Sequence, residues 1–256
     1  MSLVIYYDPM SSDIKERLAK HRESELHGHK LGPYIQDIVY GGHDGIITTF
    51  AVVAGTAGAD LPHYIVIILG FANLFADAVS MGAGAFLSLK SELDHYFRLK
   101  KEELQEIEAI PDLEREEVRE AYEAKGFRGS DLDRVVDVIT SNKEVWAETM
   151  MLEEHGLTKQ ASANPLSHGI MTFVGFVLFG IVPLFPYLFG IQSDQRFPVA
   201  IAGTFAALAL LGVTRSFVTR ERLIRGALEI VAIGALTATV AYGIGVMLKG
   251  LVGVAF

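Results

Sequence analysis

The stretch YGGHDGIITTFAVVAGTAGA (Tyr40–Ala59) is followed, after a short turn at Leu61 and Pro62, by YIVIILGFANLFADAVSMGAGAFLSL (Tyr64–Leu89). Both runs are mostly apolar, and each is about as long as a helix must be to cross roughly 30 Å of hydrocarbon. The turn between them is too short to hold any other structure. The two runs therefore predict a hairpin of membrane-spanning helices, and this hairpin decides the fold class.

Three further apolar runs of similar length lie at Leu166–Phe189, Phe197–Phe217 and Gly226–Leu248. They show no alternation of the kind that is typical of β-strands, and the chain shows no convincing internal repeat. The sequence therefore predicts an all-α polytopic membrane protein with five transmembrane helices.

Basic residues indicate the orientation of these helices. Lysine and arginine are frequent before the first span and between the fourth and fifth, whereas the opposite loops carry only Arg196 and Lys249. By the positive-inside rule the amino terminus is cytoplasmic, and five crossings then put the carboxyl terminus outside. The first forty residues contain no central apolar stretch that would indicate a signal peptide. With no sorting signal, a prokaryotic plasma membrane is favoured over a vacuolar membrane.

Charge is distributed unevenly along the 256 residues, of which 50% are hydrophobic and 21% are charged. Residues 91–158 contain 19 of the 31 acidic side chains and 9 of the 22 basic ones, which is a local net charge of −10. The acidic balance excludes a nucleic-acid-binding protein, and the lack of cysteine excludes a secreted disulfide scaffold. The high apolar content excludes a disordered chain.

The acidic segment lies between the second and third spans and predicts a cytoplasmic helical domain. Pro111 and the Gly126–Gly129 turn should divide it into three helices, at Ser91–Ala109, Leu113–Lys125 and Ser130–His155. We therefore expect a cytoplasmic amino-terminal segment, the first two spans, a cytoplasmic three-helix domain and the last three spans, at residues 1–36, 37–90, 91–160 and 161–256.

Polar side chains interrupt the first two spans. The helix between Asp44 and the outer turn is too short to cross the hydrocarbon, so we expect Asp44 to lie within the bilayer. Asp77 and Met81 lie one turn apart at the corresponding depth of the second span, and Asn73 lies one turn further out. Intramembrane carboxylates are usually functional, and this group suits a cation path. The alternatives are a protonated, hydrogen-bonded Asp44 and a methionine that only fills space.

The acidic segment carries a second group of possible metal ligands. It comprises two E-x-x-E pairs and a Met-Met-x-x-Glu group: Glu103, Glu106, Glu114, Glu117, Met150, Met151 and Glu154. The spacing puts both carboxylates of a pair on one helical face, and two such faces can surround a divalent cation. Oxygen together with sulfur favours a transition metal such as Fe²⁺. For the pairs alone, an ordinary solvated acidic face is an equal alternative.

Three motifs occur in order along the chain: GGHDG at Gly41–Gly45, AVSMGAGAFLSLKSELDHY at Ala78–Tyr96, and NKEVWAETMMLEEHGL at Asn142–Leu157. With the E-x-x-E pairs between the second and third motifs, the chain resembles the vacuolar iron transporter family from about Ile35 through the last span. The resemblance implies a homodimer of five-span subunits embedded in membrane lipid. It also implies export of Fe²⁺ and related divalent metals from the cytosol in exchange for protons.

The resemblance implies roles for individual residues as well. Asp44 and Met81 match the family's translocation site, and the glutamates and methionines of the acidic segment match a cytoplasmic metal-binding domain. Asp37, two turns before Asp44, would extend the path toward the cytoplasm. Asn73 is a departure, since members often carry glutamate there. Asp77, one turn later, is a candidate to supply the missing charge.

Two other functions stay open at this point. A membrane-anchored metalloenzyme of the di-iron oxidase kind would also use paired E-x-x-E helices, but such centres add histidine at E-x-x-H spacing. His95 and His155 lie outside both pairs. A non-transporting metal sensor would leave Asp44 and Asp77 without a role. Transport is therefore the preferred interpretation, with iron, manganese, cobalt and zinc all possible as substrates.

Overall fold

The computed structural model describes residues 9–24, 32–158, 164–219 and 223–252, and the regular structure in these ranges is entirely helical. The α-helices in these ranges are α1 (Pro9–Ser24), α2 (Ile35–Gly58), α3 (His63–Ala109), α4 (Pro111–Ala124), α5 (Gly129–Thr140), α6 (Lys143–Glu153), α7 (Pro165–Gly180), α8 (Phe185–Leu188), α9 (Arg196–Thr219) and α10 (Leu223–Val252). The predicted all-α class is therefore confirmed for the described part of the chain.

Helices α2 and α3 are joined by the tight turn that the sequence predicts. The N–H of Ala59 donates to the carbonyl of Gly55, and the N–H of Leu61 donates to the carbonyl of Thr56, each at 3.0 Å. Asp60 has φ of 58°, a left-handed conformation that aspartate tolerates better than most residues. These hydrogen bonds satisfy backbone carbonyl groups at the end of α2. The turn then connects α2 directly to α3.

Within the described ranges, four helical segments are long and apolar enough to cross a membrane, which makes the protein a multi-pass membrane protein: His63–Ala109, Pro165–Leu188, Arg196–Ser216 and Ile230–Lys249. Helix α2 is not among them, although its 24 residues would extend about 36 Å. Polar side chains within α2, including His43 and Asp44, lower its hydropathy. The helix whose hydropathy is too low is thus the one in which the sequence predicts an intramembrane carboxylate, Asp44.

Two helices differ from the simple spans that the sequence predicts. With 47 residues, α3 would extend about 70 Å, so only part of it can lie within roughly 30 Å of hydrocarbon. The third predicted span is interrupted, because α7 ends at Gly180 and a 3₁₀ turn at Val182–Leu184 precedes α8. Pro183 lies in that turn, where its missing N–H prevents a continuous helix.

The chain divides into two compact units, one formed by residues 1–78 with 171–256 and the other by residues 79–170. The first, called here the membrane unit, contains α2, the start of α3, most of α7, and α8 to α10. The second, called here the acidic unit, contains the rest of α3 with α4, α5 and α6.

Glycines set the helix packing in the membrane unit. A Cβ atom on Gly45 would overlap the carbonyl oxygen of Phe176 in α7, and one on Gly245 in α10 would overlap the carbonyl oxygen of Gly55. Such contacts are possible only where the backbones themselves touch, as is common between membrane helices. Helix α2 is therefore held closely against both α7 and α10.

The acidic unit has an apolar core of its own, which includes Val118, Val136, Trp146 and Met150. The prediction of one helix at Ser130–His155 is wrong, because the structure divides this stretch into α5 and α6. Asn142 caps α6, since its side-chain oxygen accepts hydrogen bonds from the backbone N–H groups of the second and third residues after it, at 3.0 and 3.3 Å. An N-cap requires a non-helical residue, and Asn142 has extended φ and ψ angles.

Candidate functional site

Two carboxylates of the membrane unit lie close together. Asp44 on α2 is half-buried, and its charge interacts with those of His43 and of Asp77 on α3. The Asn73 side-chain N–H donates to Asp77 Oδ2 at 2.7 Å, across one turn of α3. The structure thus brings together Asp44, Asp77 and Asn73, three of the five residues that the sequence predicts for a cation path.

The backbone of α2 is fixed on either side of Asp44. The Thr48 hydroxyl donates to the Asp44 carbonyl at 2.8 Å, one turn along the helix. Gly45 lies against the backbone of α7, as described above, and a Cβ atom on Gly41 would overlap the carbonyl oxygen of Thr172. The carboxylate of Asp44 therefore projects from a helix whose position is set by direct backbone contact.

The other two predicted path residues have different surroundings. Asp37 lies in the first turn of α2, close to α7. The Thr172 hydroxyl of α7 is 3.5 Å from Asp37 Oδ1. Met81 is half-buried and lies one turn after Asp77 on α3, but it belongs to the acidic unit. The proximity of Met81 to Asp44 remains a prediction.

A cavity of about 570 Å³ opens beside the first turns of α2 in the membrane unit. His43 and Arg215 line it together with mostly apolar side chains from α2 and α10. The His43 Nε2 atom is buried and has no hydrogen-bond partner among the described residues. The cavity therefore begins one residue away from Asp44 and is mostly apolar, with Gln36, His43 and Arg215 among its polar lining residues.

In the acidic unit, two glutamates are almost fully buried. The exposed fraction is 2% for Glu103 on α3 and 3% for Glu114 on α4. The Oε2 atom of each is buried and finds no hydrogen-bond partner among the described residues. A buried carboxylate oxygen without a partner is costly, so both positions favour a cation or a proton.

The charges of this group act on one another. Burial, followed by repulsion from Glu117, Glu103, Glu106 and Glu154, raises the pKa of Glu114 to about 7. Burial also raises the pKa of Glu117, with further contributions from Glu154 and Glu106. All five predicted glutamate ligands therefore lie within electrostatic reach of each other, which their positions on three separate helices did not guarantee.

Other carboxylates of the acidic unit pair with lysine or arginine. Lys100 contacts Glu144 and Glu148 at 2.8 and 3.1 Å, and Lys143 contacts Glu108 at 2.8 Å. Among the described residues, no lysine or arginine forms such a pair with Glu106 or any other of the five predicted glutamate ligands. The surrounding carboxylates are thus neutralised by ion pairs, whereas the five predicted glutamate ligands have no lysine or arginine partner among the described residues.

The two methionines of the predicted ligand set are both buried, with exposed fractions of 2% for Met150 and 0% for Met151. Met150 packs in the apolar core with Trp146 and Val118. Core packing therefore accounts for at least part of its burial. Ligation by either sulfur remains a prediction.

One residue of this group was missed by sequence reasoning. His155 follows α6, and its Nε2 atom lies 2.8 Å from Glu103 Oε1. Ligand atoms of Glu103, Glu154 and His155 all lie within 4.8 Å of one another. The E-x-x-H spacing rule could not find His155, because its partner Glu103 lies 52 positions earlier. The available signal was its place next to Glu154.

Comparisons with known proteins show which family this sequence belongs to. The sequence profile described as the VIT family matches residues 35–246. "Vacuolar iron transporter 2" of Oryza sativa subsp. japonica is 34% identical over 229 residues, which are 90% of this chain and 93% of that protein.

Two further relatives show the same extent of similarity. "Vacuolar iron transporter" of Toxoplasma gondii is 34% identical, covering 93% of this chain and 82% of its own length. "Vacuolar iron transporter 1" of Arabidopsis thaliana is 33% identical, covering 89% and 90%. These relatives are named as transporters and not as enzymes. The chain belongs to the VIT family.

Proposed function

We propose that this protein exports Fe²⁺, and with it other divalent transition metals, from the cytosol in exchange for protons. The observation that carries the proposal is the pair of carboxylates, Asp44 and Asp77, on two helices of the membrane unit. Paired acidic groups at such a depth are costly unless they serve an ion or proton path. The names of the relatives support iron as the substrate.

The proposed topology has five membrane crossings, by α2, α3, α7 with α8, α9 and α10. Helix α2 is included because its length suffices and its low hydropathy comes from the residues assigned to the path. The amino terminus and the acidic unit face the cytoplasm, and the carboxyl terminus faces outward. The membrane is the plasma membrane in a prokaryote or the vacuolar membrane in a eukaryote. The working form is a homodimer, as the family resemblance implies.

Metal capture is assigned to the acidic unit. The ligands are drawn from the seven predicted residues, Glu103, Glu106, Glu114, Glu117, Met150, Met151 and Glu154. Their support is the burial of two of the carboxylates and the lack of lysine or arginine partners among the described residues. The field of the five glutamates raises the local concentration of divalent cations. Oxygen with thioether sulfur accepts Fe²⁺, Mn²⁺, Co²⁺ and Zn²⁺.

Translocation is assigned to the membrane unit and the adjoining part of α3. The ion passes Asp37 and then exchanges part of its water shell for the carboxylates of Asp44 and Asp77, with Met81 adding a sulfur ligand. Asn73 orients Asp77 through its amide. Protons from the more acidic compartment then neutralise the two carboxylates and release the ion. The ion and the protons compete for the same two carboxylates, so the pH dependence of transport belongs to both.

The test is metal flux by the purified full-length protein in liposomes. Fe²⁺ uptake should be fast when the lumen is acidic, slow without a pH gradient, and accompanied by alkalinisation of the lumen. Parallel measurements with Mn²⁺, Co²⁺ and Zn²⁺ define the substrate range. Metal binding without flux under any gradient would contradict the proposal and favour a non-transporting sensor.

A further inference from the structure

His155 is held where it faces the buried glutamate of α3. Its Nε2 atom lies 2.8 Å from Glu103 Oε1, and its side chain is about a quarter exposed. Glu154, the residue before it, offers a carboxylate oxygen within 4.8 Å of the same atoms. One nitrogen and two oxygen donors thus converge from two separate parts of the chain.

The end of α6 determines this position. The N–H of Glu154 donates to the Met150 carbonyl at 2.9 Å, which is the last helical bond. Gly156 then takes φ of 65°, and the N–H of Leu157 donates to the Met151 carbonyl at 2.8 Å. A residue with a side chain rarely adopts this φ value, so Gly156 lets the chain reverse immediately after His155.

A simple buried ion pair does not account for the whole arrangement. His155 engages one oxygen of Glu103, but the other oxygen, Oε2, is buried without a partner among the described residues. The same is true of Glu114 Oε2, whose carboxylate interacts electrostatically with Glu103. Structures normally satisfy buried carboxylate oxygens, and one imidazole cannot serve two carboxylates in this way. The unsatisfied oxygens favour a cation at this position.

We propose that His155 binds the captured metal directly through Nε2, together with Glu103 and Glu154. The proposal rests on the proposed function, since it assigns a further ligand to the same cytoplasmic site. An imidazole nitrogen suits Zn²⁺, Co²⁺ and Fe²⁺, whereas Mn²⁺ is well served by carboxylates and water. His155 is therefore a residue that sets metal preference. When it turns from Glu103 to the ion, the freed carboxylate oxygen becomes a ligand as well.

The first test measures Zn²⁺, Co²⁺ and Mn²⁺ affinities of the full-length protein in detergent. His155→Gln should weaken Zn²⁺ and Co²⁺ binding by at least about tenfold and Mn²⁺ binding much less. His95→Gln is the matched control, because His95 is exposed and its ring Nδ1 lies 3.2 Å from the Arg98 guanidinium. This control should bind all three metals as the wild-type protein does.

The second test detects ligation directly, and its first result comes from the wild-type protein alone. In protein labelled with ¹⁵N at its eight histidines, one equivalent of Zn²⁺ should strongly shift one Nε2 resonance, and the variant should lack that resonance. If no Nε2 resonance moves, or if His155→Gln weakens Zn²⁺ and Mn²⁺ equally, His155 is not a ligand. If the wild-type protein binds none of these metals, the capture step itself fails, which is a different result from the loss of selectivity alone.

Discussion

The two acidic groups of this protein are built differently. In the membrane unit, Asp44 lies on a helix that packs through glycine against α7 and α10, and its charge interacts with that of Asp77 on α3. In the acidic unit, five glutamates and a histidine converge from α3, α4 and the end of α6. An ion that must leave again is best held by few charges, whereas an ion that must be captured from dilute solution gains from many. Under the proposed function, this difference suits the first group to releasing the ion and the second to capturing it.

The two groups also differ in what holds them. Asp44 is placed by backbone contacts of α2, so its position depends on small residues and not on an ion. In the acidic unit, burial and mutual repulsion raise the pKa of Glu114 to about 7, so part of the cluster holds a proton at neutral pH until a cation arrives. The first group is preorganised, and under the proposed function the second is completed by the metal ion that it binds.

The largest effect is expected at the membrane pair. Asp44→Asn removes one of the two charges while keeping the size of the side chain. Flux of Fe²⁺ driven by a pH gradient should fall to that of protein-free liposomes, because an amide can neither balance the cation nor exchange a proton for it. Metal binding to the acidic unit should persist, since its ligands lie in a separate compact unit.

Asp60→Asn is the matched control for this substitution. Asp60 lies in the turn after α2, is exposed, and pairs with Lys249 at 3.0 Å. Asparagine tolerates the left-handed φ of this position, and an exposed ion pair contributes little to stability. Flux should be retained. Equal loss in both variants would mean that any charge change in the hairpin impairs the protein.

A smaller but still large effect is expected from the packing that positions Asp44. Gly45→Ala places a methyl group against the carbonyl oxygen of Phe176, where no flexible side chain can move away. Overpacking of this kind costs about 1–3 kcal/mol. The purified variant should unfold at lower temperature in detergent, and its flux should fall with a normal metal affinity of the acidic unit.

Gly55→Ala on the same helix provides the comparison. A Cβ atom there would lie 3.7 Å from the carbonyl oxygen of Ala241, which is an ordinary contact. This variant should retain both its unfolding temperature and its flux. If Gly45→Ala behaves in the same way, direct backbone contact between α2 and α7 is not what positions Asp44.

The third prediction concerns the acidic unit. Because the pKa of Glu114 lies near 7 in the folded protein and near 4.5 ordinarily, the folded state holds the extra proton between these values. Stability of the metal-free protein should therefore fall as pH rises from about 4.5 through 7. Glu114→Gln should weaken this dependence and raise the free energy of unfolding at pH 8 by up to about 3 kcal/mol.

The same substitution should weaken metal binding, roughly tenfold at pH 8, because a ligand is lost. In the wild-type protein, affinity should rise with pH through 7 as the proton leaves Glu114. Glu116→Gln is the control on the same helix, since Glu116 is exposed and pairs with Arg119 at 3.4 Å. A metal affinity that is independent of pH in the wild-type protein would exclude Glu114 from the site.

The sequence was most informative where composition changes abruptly. The hairpin turn and the class of the fold follow from apolar length and from the short connection at Leu61 and Pro62. The division at Asn142 was missed, because an N-cap within an amphipathic stretch is a weak signal beside the stronger glycine turn at Gly126–Gly129. The interruption at Pro183 was missed for a similar reason, since the flanking residues are uniformly apolar.

The candidate sites were predictable in part. Spacing alone placed Glu103 with Glu106 and Glu114 with Glu117, since i,i+3 neighbours share a face. It could not place His155 against Glu103, because that contact depends on how the end of α6 returns to α3. Nor could it distinguish a packing role from a ligand role for Met150.

The smallest effect is expected at Asn73, where the chain departs from the family pattern. Asn73→Asp replaces the amide that donates to Asp77 at 2.7 Å with a third carboxylate, one turn away. An ion held by more charge leaves more slowly, so kcat for Fe²⁺ flux and KM should both fall by a few-fold. Asn73→Leu is the control, because it removes the same hydrogen bond without adding charge. If both variants change flux alike, the amide acts by orienting Asp77, and the number of charges at this depth does not limit release.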